Sequence, residues 1–121
     1  MKPLVIPKTI ATPKIEFNPN SKEFIIEGVS MPENPMSFYK EVISWIEKHI
    51  GSSVKEADLA IQLEYFNSSS ALILVEIMQK FSELSSGNKV VWEYKKGDED
   101  IKEAGEEYQI IIGDQLELKE V

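Results

Sequence analysis

The sequence predicts a mixed α/β (α+β) fold, with one sheet of four to five strands and about three helices packed on it. Three observations carry this. Short segments that are apolar at every second position alternate with longer ones whose apolar residues recur every three or four. Gly, Pro, Asn and Ser fall mostly between these segments. The second half also runs strand, helix, strand, helix, the order that builds right-handed parallel crossovers. The expected element order is β-β-α-β-α-β-α-β, in one domain spanning 1–121.

Residues 1–13 contain Pro3, Pro7 and Pro13. Proline cannot donate a ladder hydrogen bond, so this stretch is read as an extended arm or a sheet edge. Lys14 to Asn18 alternates with period two, Asn18-Pro19-Asn20-Ser21 is a turn, and Glu23 to Glu27 returns as a second strand ended by Gly28. Asn34 is placed to cap a helix whose first position is Pro35. Tyr39, Val42, Ile43, Ile46 and Ile50 form its apolar stripe, and Gly51 closes it. Phe38 and Trp45 sit one step off the stripe and either widen the core face, the favoured reading for large aromatics, or touch a partner. The central strand covers about Asp58 to Tyr65 and is expected to be paired on both sides. A second helix follows, with an apolar run from Ala71 to Val75 and then Ile77, Met78, Phe81 and Leu84. Lys89 to Lys95 is a further strand. Ile101, Ala104, Tyr108, Ile111 and Ile112 have helical spacing, although Gly105 is a weak helix former. Leu116 and Leu118 suggest a last strand.

At 121 residues and 42% hydrophobic, the chain is long enough for one core. No apolar run approaches the ~20 residues needed to cross a bilayer, so no membrane insertion is expected. Nor does a signal-peptide pattern open the chain. Cysteine is absent, which removes disulfides, thiolate metal sites and cysteine nucleophiles. A cytoplasmic protein is the simplest reading. The net charge of −8 is unevenly spread: +3 over residues 1–14, −4 over 15–96 and −7 over 97–121. An acidic chain repels phosphate backbones, so no nucleic-acid partner is expected. Every basic residue is Lys, so no guanidinium is available to clamp a carboxylate or phosphate.

Little points to catalysis. His49 is the only histidine, late in a helix beside Lys48, where a charged imidazole would suit the helix dipole. No nucleophile elbow, phosphate-binding glycine loop or dinucleotide fingerprint is present. The acids Asp98, Glu99, Asp100, Glu103, Glu106 and Glu107 lack metal-binding spacing and read as a solvated helix face. No enzyme, cofactor or metal is expected.

The stretch Tyr65-Phe66-Asn67-Ser68-Ser69-Ser70 is the one that organises the chain. It joins the central strand to the second helix, so its hydroxyls sit where a helix begins. The first four N–H groups of a helix lack intrahelical partners, and Ser and Asn side chains accept from them. An N-cap alone accounts for these residues. Yet the first acid after the turn is Glu76, more than one turn in, so the positive end of the dipole is left open for an anion. A phosphate carried on one of the serines would suit it.

The sequence resembles the SiaC family of bacterial regulatory phosphoproteins. Matching pieces are Thr12-Pro13-Lys14-Ile15, Gly28 to Ser30 with Pro32-Glu33-Asn34, Phe38-Tyr39, Leu63 to Ser70, Trp92-Glu93-Tyr94, Asp98-Glu99-Asp100 and Gly105-Glu106-Glu107-Tyr108. The resemblance implies a non-catalytic switch protein, modified by a Ser/Thr kinase and restored by a Ser/Thr phosphatase. It implies Ser68 as the phosphoacceptor, the residue directly after the Asn of Tyr-Phe-Asn; the family usually has Thr there. It also implies an effector partner, a diguanylate cyclase in the best-known branch, with a role in biofilm regulation. The layout echoes the STAS-type anti-sigma-factor antagonists, and a STAS-like antagonist is the alternative reading. A small enzyme or ligand-binding domain using the serine turn and His49 is a third. The expected partner-binding residues are Tyr65, Phe66, Asn67, Ser69, Asp98, Glu99 and Asp100, with Tyr65 to Asn67 and Asp98 to Asp100 forming one partner-facing rim. Ser69 and Ser70 are expected to cap the second helix. Phe66→Ala is expected to leave stability almost intact.

Overall fold

The computed structural model describes residues 2–121. Its elements are β1 (Leu4–Ile6), β2 (Lys14–Asn18), β3 (Glu23–Ser30), α1 (Pro35–His49), β4 (Asp58–Phe66), α2 (Ser68–Glu83), β5 (Lys89–Tyr94), α3 (Glu99–Ile112) and β6 (Leu116–Glu120). The sheet has six strands rather than four or five, because part of the N-terminal arm is a strand. The first three strands form an antiparallel meander, and β3, β4, β5 and β6 run parallel. Strand order in space follows strand order in sequence.

β1 takes the edge, where its flanking prolines leave no interior ladder bond unmade. It pairs Leu4 to Phe17 and Ile6 to Ile15, and Trp45 Nε1 donates to the Lys2 carbonyl at 3.0 Å just ahead of it. Apolar anchoring therefore makes a strand of three residues that alternation alone could not declare.

The three crossovers all step the same way across the sheet, which puts right-handed connections on one face. Burial agrees. Phe24 and Ile26, Leu59, Ile61 and Leu63, and Val90 and Trp92 are buried, while the alternate positions Ile25 and Glu27, Ala60 and Gln62, and Val91 and Glu93 stay partly open. The helices thus cover one side, with α1 against α2 and α2 against α3. The core between the layers is rich in aromatics. Phe17, Phe24 and Trp45 meet with ring centroids 5.5–5.9 Å apart, and Phe24 reaches Phe81 at 5.9 Å. Offset contacts of this kind add about 0.5–1.5 kcal/mol per pair beyond area burial.

Gly105 has a packing reason. A Cβ there would lie 2.3 Å from Trp92 Cδ1 and 2.5 Å from Leu118 Cδ2. Its absence lets α3 settle onto β5 and β6, where Trp92 Nε1 donates to the Ile101 carbonyl at 2.8 Å. The seated stripe is Ile101, Ala104, Gly105, Tyr108 and Ile112; Ile111, expected on it, is exposed. Leu72 and Leu84 are also exposed, contrary to the continuous apolar run expected for α2.

β4 is central but not paired on both sides throughout. Asp58 to Ile61 bond to β5, whereas Leu63, Tyr65 and Phe66 bond to β3 alone.

Candidate functional site

The C-terminal end of β4 is set by a break in register. Gly28 faces Leu63, but Val29 faces Tyr65 and Ser30 faces Phe66, so Glu64 is an extra residue on β4. Gly28 accommodates the break with φ +118, a conformation only glycine adopts without strain. The bulge inverts the strand's parity. Leu59, Ile61 and Leu63 point into the core; without the extra residue Tyr65 would follow them. Instead Tyr65 is turned to solvent and Phe66 turned inward. Phe66 meets Trp92 edge-on at 5.9 Å and lies 6.2 Å from Tyr108. Phe66 is therefore half-buried, and it joins the core to the turn.

α2 begins immediately after. Its N-cap is Asn67, not Ser69 or Ser70. The Asn67 side chain accepts from the Ser70 N–H at 3.0 Å, and Asn67's own N–H donates to the Ser30 carbonyl at 3.1 Å. The shorter serine side chains have different tasks. Ser69 Oγ donates to Asn67 Oδ1 at 3.1 Å. Ser70 is fully buried and donates to the Ser30 carbonyl at 3.1 Å. Ser30 Oγ in turn donates to Ser70 Oγ at 2.9 Å, and the Tyr39 hydroxyl stands 2.6 Å from Ser30 Oγ. Each hydroxyl has one proton, so Tyr39 must be the donor to Ser30. Burial raises the Tyr39 phenol to about 12, with the Ser30 bond opposing, so it keeps that proton at any physiological pH.

Ser68 is the exception. It occupies the first helical position, is exposed, and its hydroxyl makes no hydrogen bond among the described residues. No acid stands in the first turn of α2. Leu72, 77% exposed, follows one turn later on the same face, and Met36 at the start of α1 is 64% exposed. Together with Pro35, Ser69, Ile73 and Glu76 they line a shallow hollow of about 290 Å³ between the two helix starts. The sequence reading included Leu72 only as part of the apolar run Ala71 to Val75 and gave Met36 no role.

The acidic turn lies on the other side of β4. Asp98 caps α3, accepting from the Ile101 N–H at 3.1 Å, and Glu99 and Asp100 fill the first turn. Asp98, Asp100 and Ile101 share a depression of about 380 Å³ with Glu64, Tyr65 and Phe66. The strand end and the acidic turn thus form one rim. Ser68 and Ser69 lie outside it, on the α1 side. Tyr108 ties the two halves together: its hydroxyl donates to the Ala71 carbonyl at 2.9 Å, and burial first, then Glu107, raises its phenol to about 12.

His49 is remote from the turn. It stands in the last turn of α1 as expected, its ring packs 4.7 Å from Trp45, and desolvation, then the Lys48 charge, lowers its pKa. Among the described residues no three His, Asp or Glu side chains are grouped as a metal ion would need, and no helix is long and apolar enough to cross a membrane.

A family model described as SiaC family regulatory phosphoprotein matches residues 6–121. An uncharacterised protein of Pseudomonas aeruginosa strain UCBPP-PA14 is 30% identical over 112 residues, covering 90% of this chain and 89% of that protein. Among solved structures, apo-SiaC of Pseudomonas aeruginosa superposes with a TM-score of 0.86 at 25% identity, over 98% of this chain and 99% of that one. SiaC in the complex of the diguanylate cyclase SiaD with its activator SiaC, also from Pseudomonas aeruginosa, gives 0.86 at 25% identity with the same coverage.

Proposed function

Because the chain belongs to the SiaC family of regulatory phosphoproteins, we propose that it is a partner-switching protein controlled by phosphorylation of Ser68. It is a regulator, not an enzyme: the SiaC it resembles is the activator of a cyclase. In this reading a Ser/Thr kinase modifies Ser68, a Ser/Thr phosphatase restores it, and the unmodified form binds an effector of the diguanylate cyclase class in the cytoplasm.

The observation that carries the site is the division of labour among the three serines. Ser70 is buried and both donates and accepts inside the protein. Ser69 gives its proton to the cap. Only Ser68 offers an exposed, uncommitted hydroxyl, at a helix start whose first turn carries no acid. A phosphate there adds about −1.5 to −2 charge, and the helix end accommodates it with a gain on the order of 0.3–1 kcal/mol. The fold should hardly respond. The cost falls on the partner, which must desolvate a dianion one helical turn from the exposed Leu72. An imperfectly compensated buried charge costs a few kcal/mol, enough for a ~100-fold loss of affinity. The partner-facing residues in this reading are Tyr65, Asp98, Glu99 and Asp100 on the rim and Asn67 and Ser69 beside Ser68 at the helix start, with Phe66 acting mainly from beneath.

Phosphopeptide mapping after incubation with the cognate kinase tests the assignment. Phosphate is expected on Ser68. Ser68→Ala should bind the cyclase permanently, and Ser68→Asp should bind it poorly, although one carboxylate imitates a phosphate only partly. Phosphate confined to Ser69, or full affinity of the Ser68 phosphoform, would contradict it.

A further inference from the structure

We infer that Tyr39 is a positioning residue for the switch surface, coupling the start of α1 to the start of α2 through the buried hydroxyl chain Tyr39–Ser30–Ser70. The inference rests on the reading of Ser68 as the modified residue. It adds that a charge at Ser68 is felt on α1, a second element that does not contain it.

The chain of bonds is short and closed. Tyr39 donates to Ser30 Oγ, Ser30 Oγ donates to Ser70 Oγ, and Ser70 Oγ donates to the Ser30 carbonyl, at 2.6, 2.9 and 3.1 Å. The same carbonyl accepts the Asn67 N–H at 3.1 Å. Tyr39, Ser30 and Ser70 are all wholly buried. Three elements therefore meet in one buried polar knot: the end of β3, the second turn of α1 and the first turn of α2. A buried polar group without a partner costs about 1–3 kcal/mol, so these groups keep their mutual geometry or move together.

Ser68 stands two residues before Ser70, in the same first turn of α2. An anion on it draws on the first-turn amides of α2, and one of these, Ser70 N–H, is the amide Asn67 now caps at 3.0 Å. The first turn cannot tighten around a new anion without displacing Ser70. Ser70 cannot move without Ser30, and Ser30 holds Tyr39. α1 carries Met36 and α2 carries Leu72, on the two walls of the hollow beside Ser69. The coupling thus changes the shape of the apolar surface between the helix starts as well as its charge. The conservative break is Tyr39→Phe. It keeps the ring that packs edge-on against Phe38 at 4.8 Å and leaves Ser30 its bond to Ser70.

Amide hydrogen exchange on the isolated chain tests this in a cycle of wild type, Ser68→Asp, Tyr39→Phe and the double variant. In the Tyr39 background, Ser68→Asp is expected to change exchange of the α1 amides Phe38 to Glu41 by about threefold or more. In the Tyr39→Phe background the same substitution should leave them unchanged. A purely structural role for Tyr39 predicts faster exchange in Tyr39→Phe with an equal response to Ser68→Asp in both backgrounds, which overturns the coupling; so does an α1 that ignores Ser68→Asp in the wild-type background. Ser70→Ala supplies a second break in the chain should Tyr39→Phe fold poorly, and the same loss of response is expected from it. Cyclase binding by Ser68→Asp is measured separately. Weak binding with no response of α1 removes the coupling and leaves the switch as a local charge effect. Unchanged binding removes the switch reading itself.

Discussion

The starts of α2 and α3 are built alike and charged differently. Each follows a parallel strand, and each is capped by a side chain that accepts from the third helical amide, Asn67 from Ser70 N–H at 3.0 Å and Asp98 from Ile101 N–H at 3.1 Å. At α3 the cap is an acid and two more, Glu99 and Asp100, fill the first turn. At α2 the cap is neutral and the first turn holds only serines. One helix end carries its compensating charge in the sequence; the other carries none. The start of α1 shows that a missing acid does not by itself make a site. It too has a neutral cap, Asn34, and no first-turn acid, but its first residue is Pro35, which offers no hydroxyl.

Gly105→Ala forces a methyl against Trp92 and Leu118, and overpacking of this kind costs about 1–3 kcal/mol. A drop in melting temperature of several degrees is expected, with α3 loosened and α2 retained in hydrogen exchange; an unchanged melting curve would mean that α3 is not seated through this contact. Phe66→Ala should cost a similar amount, about 1–3 kcal/mol, because the ring is half-buried against Trp92 and Tyr108. Stability untouched by this change would return Phe66 to the surface.

Alkaline pH probes the two tyrosines that hold the helix starts. Tyr39 and Tyr108 are both raised to about 12, so above pH 10 the unfolded chain loses these protons while the folded chain keeps them. The stability they contribute is complete below pH 10 and declines as pH rises from 10 towards 12. Denaturant midpoints across that window should fall less steeply in Tyr39→Phe than in the wild type. An identical slope would show that the Tyr39 phenol ionises in the folded state as freely as in water.

A smaller effect separates the caps. Asn67→Ala and Asp98→Ala should each cost about 1 kcal/mol, with Asp98→Ala the more sensitive to salt because its cap is charged. Equal salt response of the two would remove the distinction drawn between the helix ends.

Much of this was legible in sequence. Asn34 with Pro35 announced α1, the alternation from Leu59 to Leu63 announced the central strand, and the turn announced a helix start rich in hydroxyls. What was hidden shares one cause: it depends on contacts between segments distant in sequence. β1 is three residues long and is declared only by its pairing with β2. The inward turn of Phe66 depends on a bulge opposite Gly28, which the strand's own alternation cannot reveal. Ser30 lies beyond Gly28, where the second strand was expected to end, yet β3 continues to it and its hydroxyl and carbonyl organise the buried knot. Gly105 read as a weak helix former because its use is the space it leaves for Trp92. Leu72 lies inside an apolar run that does not reveal its 77% exposure, which follows from which face of α2 the sheet covers.

The most direct measurement is a titration of the diguanylate cyclase of the same organism with the unmodified protein and with protein phosphorylated stoichiometrically at Ser68, under the same salt conditions. The account predicts binding by the unmodified form and a ~100-fold loss for the phosphoform, with both forms melting within about a degree or two of each other. Equal affinities of the two forms, or a loss of affinity that arises only because the phosphoform unfolds, would contradict it.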